Sequence, residues 1–269
     1  MIGIGLGVGS QRVSDGGAAP PSFDADAQAY FDRVSAAGGV LTEAETTAVN
    51  QLVIDLKANS LWTPMKAIYP MVGSSAAACA QNLKSSSFTG SFSSGWTFAS
   101  TGATPNGTSA YMDTGLNDNT ELSLNSAHLS YYSRTNLITG GNKAAAGCYD
   151  GSSVFVIQPK YTDGKFYGSV HSPEINVLIP STQGNFINSR TASNSLKSYF
   201  NNSILVSGTT ASILKINRNI YVGGVNGPSL IYGGFECAFS SIGDGLSDAQ
   251  ASAFYTNIQN FNTTLSRNI

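Results

Sequence analysis

From Trp62 onward the chain is a succession of short apolar runs broken by turn residues, and that rhythm leaves few folds open. Val154-Phe155-Val156-Ile157 is followed by Asp163-Gly164 and then Phe166-Tyr167. The Asp-Gly pair supplies the positive φ angles that a tight hairpin turn requires. Tyr199-Phe200, Asn201-Asn202 and Ile204-Leu205-Val206 read as a second hairpin, and Ile220-Tyr221-Val222, Asn226-Gly227 and Leu230-Ile231-Tyr232 as a third. Residues 65–72 add another apolar run, and Leu122 and Leu124 open an alternating stretch that reaches Tyr131. Regularly spaced strands of this kind predict a mainly β protein, a sandwich or a barrel.

Helical patterns flank the strands. Ala27, Tyr30, Phe31 and Val34 recur at i, i+3, i+4 and i+7 after the capping candidates Asp24 and Asp26, and the pattern stops at Gly38-Gly39. Thr42-Glu43-Ala44-Glu45 has the form of a capping box, with Val49, Leu52, Val53 and Leu56 sharing one face behind it. Near the far end, Ser247 and Gln250 cap a helix whose stripe is Ala251, Phe254, Ile258, Phe261 and Leu265. The expected organisation is a short helical segment over residues 23–61 and a β-sandwich with a closing helix over residues 62–269.

Residues 1–22 differ in kind. Ile2, Ile4, Leu6 and Val8 alternate with Gly3, Gly5, Gly7 and Gly9, a strand rhythm with one apolar face and one bare face. Such a segment buries too little to fold alone. It suits addition as a strand to a sheet edge on another subunit, or else it is a flexible terminus. The glycines are misplaced for G-x-G-x-x-G and no strand precedes them, which excludes a dinucleotide fingerprint. Asp15-Gly16-Gly17-Ala18-Ala19-Pro20-Pro21 reads as a linker. No basic and apolar leader follows Met1, so a secretory signal is not expected.

Charged residues make up only 11% of the 269 positions, against roughly 25% in an average soluble domain. Ser, Thr, Asn and Gly take their place. With a net charge of −2 and scattered Lys and Arg, nothing provides the basic patch that nucleic acid requires. No run is apolar enough to span a membrane as a helix. A neutral surface rich in hydroxyls and amides fits both a protein that hydrogen-bonds to sugars and a β protein with no ligand. The three cysteines, Cys79, Cys148 and Cys237, are isolated and read as small buried apolar residues rather than a disulfide framework or a zinc site.

Catalytic signatures are missing. His128 and His171 are the two histidines and neither lies in a metal spacing, while no G-x-S-x-G elbow or phosphate loop occurs. Glycoside cleavage needs paired carboxylates, and Glu43, Glu45, Glu121, Glu174 and Glu236 show no such pattern along a strand. No catalytic residue is therefore assigned, and the chain is not expected to be an enzyme. Binding residues are easier to nominate. Trp96, Tyr111, Tyr131, Tyr132 and Tyr149 sit among Asn, Asp and Ser, the company that aromatic rings keep where they stack on sugars. Asp113, Asp118 and Asp150 lie near predicted loops, where oxygen ligands for calcium gather; no metal site is assigned and no other cofactor is expected.

Several strings resemble a family of bacteriophage structural proteins that carry a concanavalin A-like lectin/glucanase (LamG-like) domain. They are Asp26-Ala27-Gln28-Ala29-Tyr30-Phe31, Leu61-Trp62-Thr63-Pro64-Met65-Lys66-Ala67-Ile68-Tyr69-Pro70 and Thr101-Gly102-Ala103-Thr104-Pro105-Asn106-Gly107-Thr108. Leu122-Ser123-Leu124-Asn125, Tyr131-Tyr132-Ser133-Arg134-Thr135 and Ser241-Ile242-Gly243-Asp244-Gly245-Leu246-Ser247-Asp248 complete them. The similarity covers most of residues 24–269, more loosely over 140–215. It implies a concanavalin-like jelly-roll sandwich in a head-decorating, fibre or tail component of the virion, displayed for host-glycan attachment, and it implies no catalytic residues. The alternative within the same fold is a polysaccharide depolymerase. Ile2, Ile4, Leu6 and Val8 would then attach the chain to other virion proteins, and self-association, as a trimer by preference, is expected.

Overall fold

The computed structural model describes residues 23–137 and 143–269. The chain opens with α1 (Ala25–Ala36) and α2 (Glu43–Ala58), then β1 (Met65–Tyr69) and the single turn α3 (Ala76–Cys79). Next come β2 (Ser91–Phe92), β3 (Trp96–Ala99), β4 (Gly102–Pro105), β5 (Met112–Asn117) and a second single turn, α4 (Asp118–Glu121). The middle of the chain supplies β6 (Ala127–Ser133), β7 (Ala146–Tyr149), β8 (Val154–Gln158), β9 (Lys165–Ser172) and β10 (Ile175–Leu178). It continues through β11 (Gly184–Ala192), β12 (Ser195–Phe200), β13 (Ser203–Gly208) and β14 (Asn219–Val222). Last come β15 (Gly224–Asn226), β16 (Ile231–Tyr232), β17 (Cys237–Gly243) and α5 (Asp248–Thr264).

Among the described residues these strands form two sheets. One has eight strands in the order β13-β12-β11-β6-β17-β4-β3, with β1 also paired to β17. The other has nine, in the order β10-β9-β8-β7-β14-β5-β2, with β15 and β16 attached through β7. The sheets stack face to face, and the core between them holds Leu129, Tyr131, Phe155, Phe166, Phe186 and Ile220. The protein is thus the mainly β jelly-roll sandwich the sequence predicts, with short helices before it and one after.

A second core lies on the outer face of the eight-stranded sheet. Tyr132, Ile187 and Phe239 point away from the other sheet and meet Leu52 and Val53 of α2 and Phe254 and Ile258 of α5. Strand β6 is therefore buried on both faces along its whole length. The helices form where their sequences call for them. Thr42 Oγ1 accepts from the Glu45 amide at 3.2 Å while Glu45 Oε2 accepts from the Thr42 amide at 2.8 Å, and Ser247 and Gln250 make the same reciprocal pair at the start of α5.

Two hairpins follow the expected pattern. Strands β8 and β9 pair around Gly164 at φ 80°, and β12 and β13 pair around Asn201 at φ 44°. The third does not. Gly223, at φ 79°, turns the chain after β14, so the strand that pairs with β16 is β15, with Val225 opposite Ile231. Strand β14 instead fills a central place between β5 and β7. The stretch expected to alternate from Leu122 also departs, because α4 and a Ser123–Ser126 bridge precede β6. The attachment residues Ile2, Ile4, Leu6 and Val8 lie outside the described residues.

Candidate functional site

Among the described residues the helices cover the eight-stranded sheet and leave the outer face of the nine-stranded sheet open. Strand alternation decides what it carries. Cys148, Phe155 and Ile157 turn into the inter-sheet core, which leaves Tyr149, Val154, Val156 and Gln158 on the outside. The β15–β16 hairpin adds Val225 and Ile231, and the result is a cleft of about 220 Å³ with Glu174 on its rim. Tyr149 is held at both ends. Its hydroxyl donates to the Ser229 carbonyl at 2.9 Å, and its ring lies on Gly227. The Glu174 side chain reaches solvent, yet it lies far enough into the apolar wall that desolvation raises its carboxyl above the ordinary carboxylate range.

Beside the cleft is an aromatic pair. Tyr221 stands opposite Gly147, so it shares a face with Tyr149 two residues farther along β7. The Tyr111 and Tyr221 rings are parallel, 4.4 Å apart with 4° between their planes. Burial, then the Asp113 charge and Tyr111, push the Tyr221 hydroxyl up to about 12, so it stays a neutral donor. Asp113 is fixed by the Gly115 backbone amide at 2.8 Å and by Asn219 Nδ2 at 3.1 Å, both donating to its Oδ1. Rings, amides and two carboxylates on one open sheet face can stack on the C–H face of a sugar and hydrogen-bond its hydroxyls.

Of the rings nominated from the sequence, Tyr111 and Tyr149 are on this surface. Tyr131 and Tyr132 are not available to a ligand. Both are fully buried, Tyr131 between the sheets with its hydroxyl on the Phe235 carbonyl, and Tyr132 under α5 with its hydroxyl on Gln259. Trp96 is half-buried in an edge cluster with Phe92 and Phe98, where its ring lies over Gly223. Sequence reasoning missed Tyr221 and Gln158 as members of the face. Tyr221 was legible in principle, because it alternates with Ile220 and Val222, both of which point into the core.

The polar candidates are placed as follows. Asp118 is fully buried, 2.6 Å from His171 Nε2 and 2.5 Å from the Ile216 amide. Asp150 accepts from the Ser152 and Ser153 amides. Among the described residues, no three His, Cys, Asp or Glu side chains come together as metal ligands would. His128 is buried and desolvation lowers it to about 4. The three cysteines are buried and free, and burial raises all three thiols, which suits packing and not nucleophilic chemistry.

No family model matches the sequence, and no curated protein matches it either. Solved structures do. Domain 4 of AbnA, an extracellular arabinanase of Geobacillus stearothermophilus solved in complex with arabinotriose, aligns over 71% of this chain and 97% of its own, with a TM-score of 0.51 and 19% identity. The binding domain of botulinum neurotoxin serotype D aligns over 73% of this chain with a TM-score of 0.52 and 9% identity; the alignment spans about half of the toxin domain, 51%. At such identities the likeness is one of fold: this chain is a β-sandwich built like those two domains.

Proposed function

We propose that the chain is a glycan-binding sandwich displayed on a bacteriophage virion, and that the outer face of its nine-stranded sheet makes the contact. The carrying observation is the convergence there of Tyr149, the Tyr111–Tyr221 stack, Glu174 and Asp113, on the part of the sandwich that no long helix covers among the described residues. The solved domain bound to arabinotriose supports the sugar reading through its shared fold. The virion reading rests on the family resemblance of the sequence strings. In it, residues 1–22 join the chain to other virion proteins and the chain assembles as a trimer.

Binding without cleavage is the proposed activity. Glycoside hydrolysis uses two carboxylates across the scissile bond, and among the described residues lining the cleft Glu174 alone carries one. Two experiments test the proposal. Purified protein is incubated with host capsule and cell-wall glycans, which are then chromatographed; retention without shortened products agrees with it, and released oligosaccharides make the chain a depolymerase. Phage producing a copy without residues 1–22 should yield particles lacking the protein, and full incorporation of the shortened chain would remove the attachment role.

A further inference from the structure

On the other side of the molecule, between α5 and the strands β11 and β12, is a second cavity of about 380 Å³. Asn185 lines it. That residue is 1% exposed, and among the described residues neither its Nδ2 nor its Oδ1 has a hydrogen-bond partner. A buried carboxamide with both ends unpaired costs stability in the empty protein, and such groups are rare unless something else satisfies them. Its position is not slack. The Asn185 amide donates to Asn201 Oδ1 and the Asn201 amide donates to the Asn185 carbonyl, both at 2.9 Å, which clamps the β12–β13 turn that forms one wall.

The other walls define the ligand. Asp248 is held by Lys197 at 2.7 Å and by the Tyr199 hydroxyl at 2.8 Å, so the one charge lining the cavity is already neutralised. Among the described residues the lining carries no cation that could hold an anion. The Tyr255 oxygen accepts from Gln259 at 2.9 Å, which leaves its proton to be donated. Ser203 and Ser252 add hydroxyls, while Ile187 and the 51% exposed Ile204 offer an apolar surface. We propose that this cavity is a binding site for a neutral sugar unit, with the Asn185 carboxamide donating to one ring hydroxyl and accepting from its neighbour. A carboxamide matches two adjacent hydroxyls as it matches any paired donor and acceptor, and the isoleucines meet the C–H face. The site is separate from the open sheet face and does not depend on it.

The test uses the full chain, labelled with ¹⁵N and titrated with glucose, galactose and N-acetylglucosamine. Saturable shifts are expected for at least one sugar at the amides of Asn185, Ser203 and Ser252, with a dissociation constant on the order of millimolar. Asn185→Leu keeps the branched four-atom shape and removes the unpaired polar atoms. It should weaken that binding at least tenfold while melting at the same or a higher temperature. Absence of saturable shifts at those amides for all three sugars overturns the proposal. So does undiminished binding by Asn185→Leu, or a lower melting temperature for it, since the amide would then be serving the fold.

Discussion

The Tyr149 ring rests directly on the backbone of Gly227: a Cβ at that position would fall 1.8 Å from the ring's Cε1. A methyl group there cannot be accommodated unless the ring moves, and the ring is the aromatic wall of the cleft. Gly227→Ala should therefore shift Tyr149 out of place and weaken glycan binding about tenfold, at a stability cost of about 1–3 kcal/mol. Titration of wild type and variant with the same glycan, alongside thermal melts, checks it. Equal affinity would mean that the position of Tyr149 does not matter to binding.

Arg267 closes the chain by tying it to the second core. Its guanidinium is 1% exposed and donates to the carbonyls of Met71 at 2.8 Å, Pro70 at 2.6 Å and Ala238 at 2.8 Å, and to Asn262 Oδ1 at 2.8 Å. Burial lowers it to about 10, which leaves it charged at neutral pH. Arg267→Met orphans four acceptors and should cost about 3–5 kcal/mol in urea unfolding. A loss below about 1 kcal/mol would show that the carbonyls find water instead.

Acid should weaken the fold through His128. Its Nδ1 donates to the Asp244 carbonyl at 2.6 Å, so Nε2 is the acceptor for Ser241 Oγ at 3.0 Å. Desolvation lowers the folded group to about 4 from the ordinary 6.5. Below pH 6.5 the unfolded chain takes up a proton that the folded chain refuses, so stability falls as pH drops from about 6.5 to about 4 and this contribution then levels off. The full loss is about 3 kcal/mol. His128→Gln should show a shallower decline across that window in denaturant midpoints, and parallel curves would contradict the assignment.

What the sequence disclosed follows from how local each feature is. The capping boxes at Thr42 and Ser247 are complete within four residues, and the Asn201 turn needs only its neighbours, so these elements could be read directly. Tyr131 and Tyr132 could not be separated from surface rings, because β6 is covered on both faces and even its polar His128 and Ser130 are buried. The misplaced third hairpin turns on Gly223, whose positive φ redirects a chain that otherwise reads as continuous. Asn185 gave no signal at all, since an unpaired amide is a property of the space around it.

Removing Phe254 tests whether the helices belong to the sandwich. It is fully buried between α5 and the outer face of the eight-stranded sheet, with Phe239 5.9 Å away. Phe254→Ala should cost about 3–5 kcal/mol in a single cooperative transition. Two separate transitions would mean that the helices unfold on their own.

The central claim is that the open sheet face binds glycan, and the direct measurement is calorimetric titration with whichever host-surface glycan the protein retains on an array. Wild type should bind with a dissociation constant in the micromolar to millimolar range, about −8 to −4 kcal/mol. The Tyr149→Ala/Tyr221→Ala double variant should melt as a folded sandwich and bind at least tenfold more weakly. An array on which the wild type retains no glycan, or a folded double variant that binds as well as the wild type, would contradict the account.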